Sequence, residues 1–146
     1  MDNLPDIYRE VSKYDLHYST VRTSVSIFLV SVSFSLGSFL LKEGPKEAGL
    51  IFPTILFLLA IGLSTHYQRL TKSCRTIQRD LENRITSART SGTLSTAPLV
   101  NFRERLAQEY RLTKFFHWDI ANSALVFLTL LYLLAGFYVL FFKSSS

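Results

Sequence analysis

At 146 residues the chain is long enough for one domain at most; 48% of its residues are hydrophobic and 14% aromatic. The apolar excess is gathered into three blocks, a pattern that excludes an ordinary soluble globular domain. The formal net charge is +5, and the one cysteine, Cys74, lies outside the blocks, so an internal disulfide is excluded and a reduced cytosolic thiol is expected.

Residues 3–20, NLPDIYREVSKYDLHYST, open with helix-start chemistry. Asn3 can cap, Pro5 suits a first turn, and Asp6 favours the positive end of the helix dipole. Ile7, Val11, Tyr14 and Tyr18 follow at spacings of 4, 3 and 4, a narrow apolar seam. The pattern predicts an amphipathic cytoplasmic helix over 1–21, running unbroken into the block behind it. Tyr14, His17 and Tyr18 fall where amphipathic rings settle among lipid headgroups, and Arg22 marks the boundary. Asp2, Asp6, Glu10 and Asp15 do not fit the basic start of a cleaved secretion signal, so none is expected.

The first block, Thr23 to Leu41, is 19 residues without a charge, about the length that crosses a bilayer's hydrocarbon core as a helix. It is studded with hydroxyls. Thr20, Ser24, Ser31, Ser35 and Ser38 are spaced 4, 7, 4 and 3 apart and form one helical stripe, while Ser26 and Ser33 point off it. A lipid-facing helix gains nothing from such a stripe, which therefore faces another helix or water. Packing would gain about 0.6 kcal/mol per interhelical hydrogen bond. A hydroxyl-lined pore would need several copies, because three spans enclose no conduit by themselves.

Lys42 to Gly49, KEGPKEAG, is a short loop broken by Gly44-Pro45, so 22–66 is expected to form a tight hairpin of two spans. In the second block, Ala48 to Thr65, Pro53 should introduce a slight kink, and Gly62, Ser64 and Thr65 suit close packing. From Tyr67 onward Leu70, Cys74, Ile77, Leu81 and Ile85 make a second seam. Arg69, Lys72, Arg75 and Arg79 lie off that seam and, with Arg105, are the candidate contacts for a cytoplasmic ligand, a partner or lipid headgroups. Asp80 and Arg84 make a pair four apart.

Ser91 to Pro98, SGTLSTAP, reads as a loop, and Asn101 with Glu104 as a capping box. Leu99, Phe102, Leu106, Tyr110 and Thr113 form a third seam, expected to pair with the second as an antiparallel helical hairpin over 67–118. Such a hairpin would project roughly 30 Å into the cytoplasm. Its second helix is expected to continue through Phe115 to Trp118 into the third span, 119–143. There Asp119, Asn122, Thr129 and Gly136 lie near one face, which should meet the first span or a neighbouring copy.

With three spans, the N-terminus and the middle segment share a side that holds 13 of the 16 basic residues. That side should be cytoplasmic and the C-terminus outside. His17, His66 and His117 each sit at the cytoplasmic end of a different span and read as interface residues, with no metal and no cofactor expected. Asp119 is positioned to orient a histidine or to pair with Arg22, and Asn122 adds a polar group at the same level. Glycine-rich phosphate loops, paired cysteines, HExxH and Gly-x-Ser-x-Gly elbows are absent from the sequence, so catalysis is not expected.

From Tyr14 to Ile85, YDLHYSTVRTSV through RLTKSCRTIQRDLE, the layout is an amphipathic helix, a two-span hairpin and a cytoplasmic helix. This arrangement resembles the small multi-span effectors of bacterial antiphage-defence loci, including the two-span SLATT-type family, from which the third span departs. The resemblance implies oligomerisation and membrane permeabilisation when a partner senses infection, and it implies no catalytic residues. The expectation is therefore an all-α, three-span protein of the bacterial inner membrane, assembled as a homo-oligomer with the first span central. Its expected activity is that of a pore-forming or depolarising effector gated through the cytoplasmic hairpin by a soluble sensor protein, nucleotide or nucleic acid. The alternative is a non-conducting anchor that recruits a soluble partner.

Overall fold

The computed structural model describes residues 4–91, 102–112 and 119–141. They form four α-helices: α1 (Leu4–Glu43), α2 (Lys46–Ser91), α3 (Phe102–Leu112) and α4 (Ile120–Phe141). Three of them, α1, α2 and α4, are long and apolar enough to cross a membrane. At about 1.5 Å per residue α1 and α2 run roughly 60 and 70 Å, twice the thickness of a hydrocarbon core. Each joins an apolar stretch to a polar one without a break.

Pro45 ends α1, because it has no N–H to offer the Leu41 carbonyl. The Gly44 N–H still reaches the Leu40 carbonyl at 3.0 Å, and the Gly49 N–H opens α2 on the Pro45 carbonyl at 3.1 Å.

The chain divides into two compact units. Met1–Val21 with His66–Phe115 form the first, and Arg22–Thr65 with Phe116–Ser146 form the second. The core of the first unit is Val11, Cys74, Ile77 and Leu81, with Ile7, Tyr8, Tyr18 and Leu106 packed against it. To the expected pairing of α2 with α3 this core adds α1. The seam of α2 receives both Leu106 from α3 and the seam of α1, since Val11 is fully buried. Asp119, directly before α4, is not helical, so α3 and α4 are not one continuous helix; residues 113–118, over which the third seam is expected to run on, lie outside the described residues. Asn101, the expected capping residue, lies outside the described residues.

In the second unit Leu29, Ala60 and Leu125 are the buried core, flanked by Val25, Val30, Leu56, Ile61 and Leu63. The expected face of α4 packs within the chain: Asn122, Leu125, Thr129, Tyr132 and Gly136 are its buried residues. A Cβ on Gly136 would run into the Leu50 side chain, and one on Gly37 would run into the Tyr132 hydroxyl. Gly62, by contrast, has open space around it and serves no close approach.

Helix α2 continues through Pro53, and the physical reason is visible in α4. Proline cannot donate to the carbonyl four residues back, which leaves the Gly49 oxygen without its helical partner. The Tyr132 hydroxyl donates to that oxygen. Around it, Phe34 and Phe57 meet edge-on at 5.5 Å, and Tyr132 lies 6.0 Å from Phe34 and 5.5 Å from Phe57.

Candidate functional site

Two features of the second unit carry chemistry. The first is a polar cluster that ties α1, α2 and α4 together. Asp119 stands just before α4 as its cap, accepting the Asn122 N–H at 2.8 Å on one carboxylate oxygen. Its other oxygen accepts Arg22 Nη2 at 2.7 Å. Arg22 Nε donates to the Ser64 hydroxyl at 2.9 Å, and Ser64 donates to Asn122 Oδ1 at 2.7 Å. Arg22 and Asp119 are 17% and 30% exposed, so the pair keeps some contact with its surroundings. Each member satisfies its neighbour, as ionisable groups beside an apolar stretch must. The sequence placed Arg22, Asp119 and Asn122 at one level; Ser64 is the member it missed, having read it only as a small packing residue.

The second feature is the hydroxyl face of α1. Ser24, Ser31, Ser35 and Ser38 are all exposed, as is Thr20 in the first unit. At about 100° per residue the four serines centre half a turn away from Leu29 and Ser33, which the chain buries. Buried Ser33 returns its hydroxyl to the Leu29 carbonyl at 2.7 Å, and Thr54, Thr65 and Thr129 bond back four residues in the same way. Packing among the described residues therefore leaves the stripe uncovered, and the serine it buries is one that points off it. Only 11% of the apolar window of α1 is buried, against 33% for α2 and 22% for α4. Of the three apolar helices α1 is the least covered. Ile27 and Phe34 border the serines on one side and Phe28 and Phe39 on the other, all exposed.

The expected ligand-contact cations lie in the first unit, and they do not form one free basic face. Arg69 donates to the Tyr110 carbonyl at 2.7 Å and lies over its ring at 4.1 Å. Arg75 pairs with Asp15 at 3.4 Å and Arg105 with Asp80 at 2.7 Å. Arg79 is exposed and Lys72 half-buried. The hydrogen bond from Arg105, with the charges of Arg105 and Arg84, holds the Asp80 carboxyl below the usual range despite some desolvation. Burial pushes the Cys74 thiol up to about 11, helped by the nearby Asp15 charge.

Rings gather in the same unit. His17 meets Tyr18, Tyr18 meets Tyr67, and Tyr67 meets His66, with centroids 5.8, 6.5 and 5.5 Å apart. His66 Nδ1 is 2.8 Å from the Tyr110 hydroxyl. His117 lies outside the described residues, and among the described residues no group of three or more His, Cys, Asp or Glu could hold a metal ion. No protein-family model, curated protein or solved structure matches the chain.

Proposed function

We propose that this is an integral membrane protein whose copies meet on the hydroxyl face of α1 and together line a polar path through the bilayer, as a pore-forming or depolarising effector. The exposed serines carry the reading. Four hydroxyls in an otherwise apolar stretch are left uncovered by the chain's own helices, and hydrocarbon offers them no partner. A second copy or a water column does. Ser31 and Ser35 are spaced as small residues are where membrane helices approach closely.

In this reading α1, α2 and α4 cross the bacterial inner membrane with the N-terminus and the first unit in the cytoplasm, the side on which, with Arg22 at the boundary, 13 of the 16 basic residues fall. Activation comes through the first unit from a soluble sensor protein, nucleotide or nucleic acid, as the resemblance to antiphage effectors also suggests. Planar-bilayer recording on the purified assembly is the test. The reading expects current that Ser31→Leu and Ser35→Leu abolish. It fails if no ligand state conducts and both variants keep cellular activity.

The runner-up is a non-conducting anchor for a soluble partner. Exposed Arg79 on α2 and Leu112 on α3, 74% exposed, favour it as available contacts in the first unit. Charge reversal at Arg79 then abolishes co-purification of the partner, while leucines in the stripe leave recruitment intact.

A further inference from the structure

Along residues 22–43, the part of α1 that belongs to the second unit, the charges are Arg22, Lys42 and Glu43. At about 100° per residue they fall on different sides of the helix. Arg22 lies roughly opposite the serines and is held by Asp119, Ser64 and Asn122. Lys42 lies within about 40° of all four serines. Ser24 and Lys42 stand about five whole turns apart, roughly 27 Å along the axis, which is nearly the thickness of a hydrocarbon core. Lys42 is exposed and, among the described residues, makes no ion pair. Glu43 is turned about 100° away from it, so in this stretch no carboxylate lies on the serine face.

The hydroxyls on that face differ from others in the chain. A helical hydroxyl commonly donates to the carbonyl four residues back. Ser33 and Thr129 do so where buried, and Thr76, Ser87 and Thr90 where exposed. Ser24, Ser31, Ser35 and Ser38 make no such bond among the described residues. Their O–H donors stay available, whereas a hydroxyl that bonds back turns only lone pairs outward. Free donors and the Lys42 ammonium both favour negative charge.

We infer that the polar path on this face passes anions in preference to cations, and that Lys42 sets the preference at one mouth. This rests on the pore reading above. Copies that share a path bring their Lys42 side chains to one level, and a ring of cations concentrates anions there.

The test is the reversal potential of the purified assembly in planar bilayers under a potassium chloride gradient. At low salt the native chain should pass chloride about tenfold better than potassium, and the ratio should fall as added salt screens the ring. Lys42→Gln should remove most of that preference, Lys42→Glu should reverse it and Lys42→Arg should keep it. A second route changes the charge after assembly. Lys42→Cys in a Cys74→Ser background is modified with a cationic or an anionic methanethiosulfonate reagent; the first should restore the chloride preference and the second oppose it.

A native chain that favours potassium, or neither ion, overturns the inference and leaves the pore reading standing. So does a chloride preference that survives Lys42→Glu and both reagents, since Lys42 is then no more than a headgroup anchor. An equal shift from Lys46→Gln, exposed at the start of α2, also overturns the assignment to the serine face. Absence of current in every state sinks the pore reading itself and the anion preference with it.

Discussion

Replacing Tyr132 by phenylalanine removes one hydroxyl from a site where its acceptor has no substitute. The Gly49 carbonyl is buried and lost its helical donor to Pro53, while Tyr132 is only 7% exposed. An acceptor stranded in apolar surroundings costs about 1–3 kcal/mol in soluble proteins. Interhelical hydrogen bonds in membranes average about 0.6 and reach about 1.7 kcal/mol, so Tyr132→Phe should cost about 1.5 kcal/mol. The mechanism makes a sharper claim in a second background. Pro53→Ala restores an N–H to the Gly49 carbonyl, and there Tyr132→Phe should cost under about 0.5 kcal/mol, a coupling of about 1 kcal/mol. Reversible unfolding in mixed detergent micelles measures all four corners of the cycle. Equal costs in both backgrounds would refute the reasoning, leaving Tyr132 to act only by packing its ring against Phe34, Phe57 and Gly37.

Other consequences follow from the same geometry. Asp119→Ala removes both the cap of α4 and the partner of Arg22, and should lower stability in the same assay by about 2 kcal/mol, roughly 1 from each. Gly37→Ala places a methyl within 2.9 Å of two Tyr132 ring carbons and should destabilise by about 1–3 kcal/mol. Gly62→Ala, in open space, should instead gain about 0.4–1 kcal/mol. Raising the Cys74 pKa from 9.0 to about 11 favours the neutral thiol. At pH 8 labelling by a soluble disulfide reagent should run about a hundredfold slower than in denaturant and quicken about tenfold per pH unit up to about 11.

Much of this fold is written in spacing. The seams at Ile7, Val11 and Tyr18 and at Cys74, Ile77 and Leu81 are periodic, and their burial follows from that period. Gly44-Pro45 ends a helix by a local rule, so the α1–α2 boundary was legible too. Which seam meets which was not, because periodicity identifies a face without its partner; α1 therefore joined a core expected from α2 and α3 alone. Asp119 was readable as a partner for Arg22 but not as a cap, since residues 115–118 carry no helix breaker. The bond from Tyr132 to Gly49 links positions 83 apart, and nothing in a linear pattern announces it. The serine stripe is legible in the spacing, but its direction is set by tertiary packing: Ser33, off the stripe, is buried, and Ser31 and Ser35 are exposed.

The claim that copies of the chain cover that serine face can be met directly by cross-linking in vesicles. In a Cys74→Ser background, Ser35→Cys should oxidise readily to a disulfide-linked dimer. Phe52→Cys and Leu134→Cys, exposed on α2 and α4, serve as outward-facing references and should not. If Ser35→Cys links no faster than those two, the face is turned to lipid, and neither the assembly nor the polar path stands.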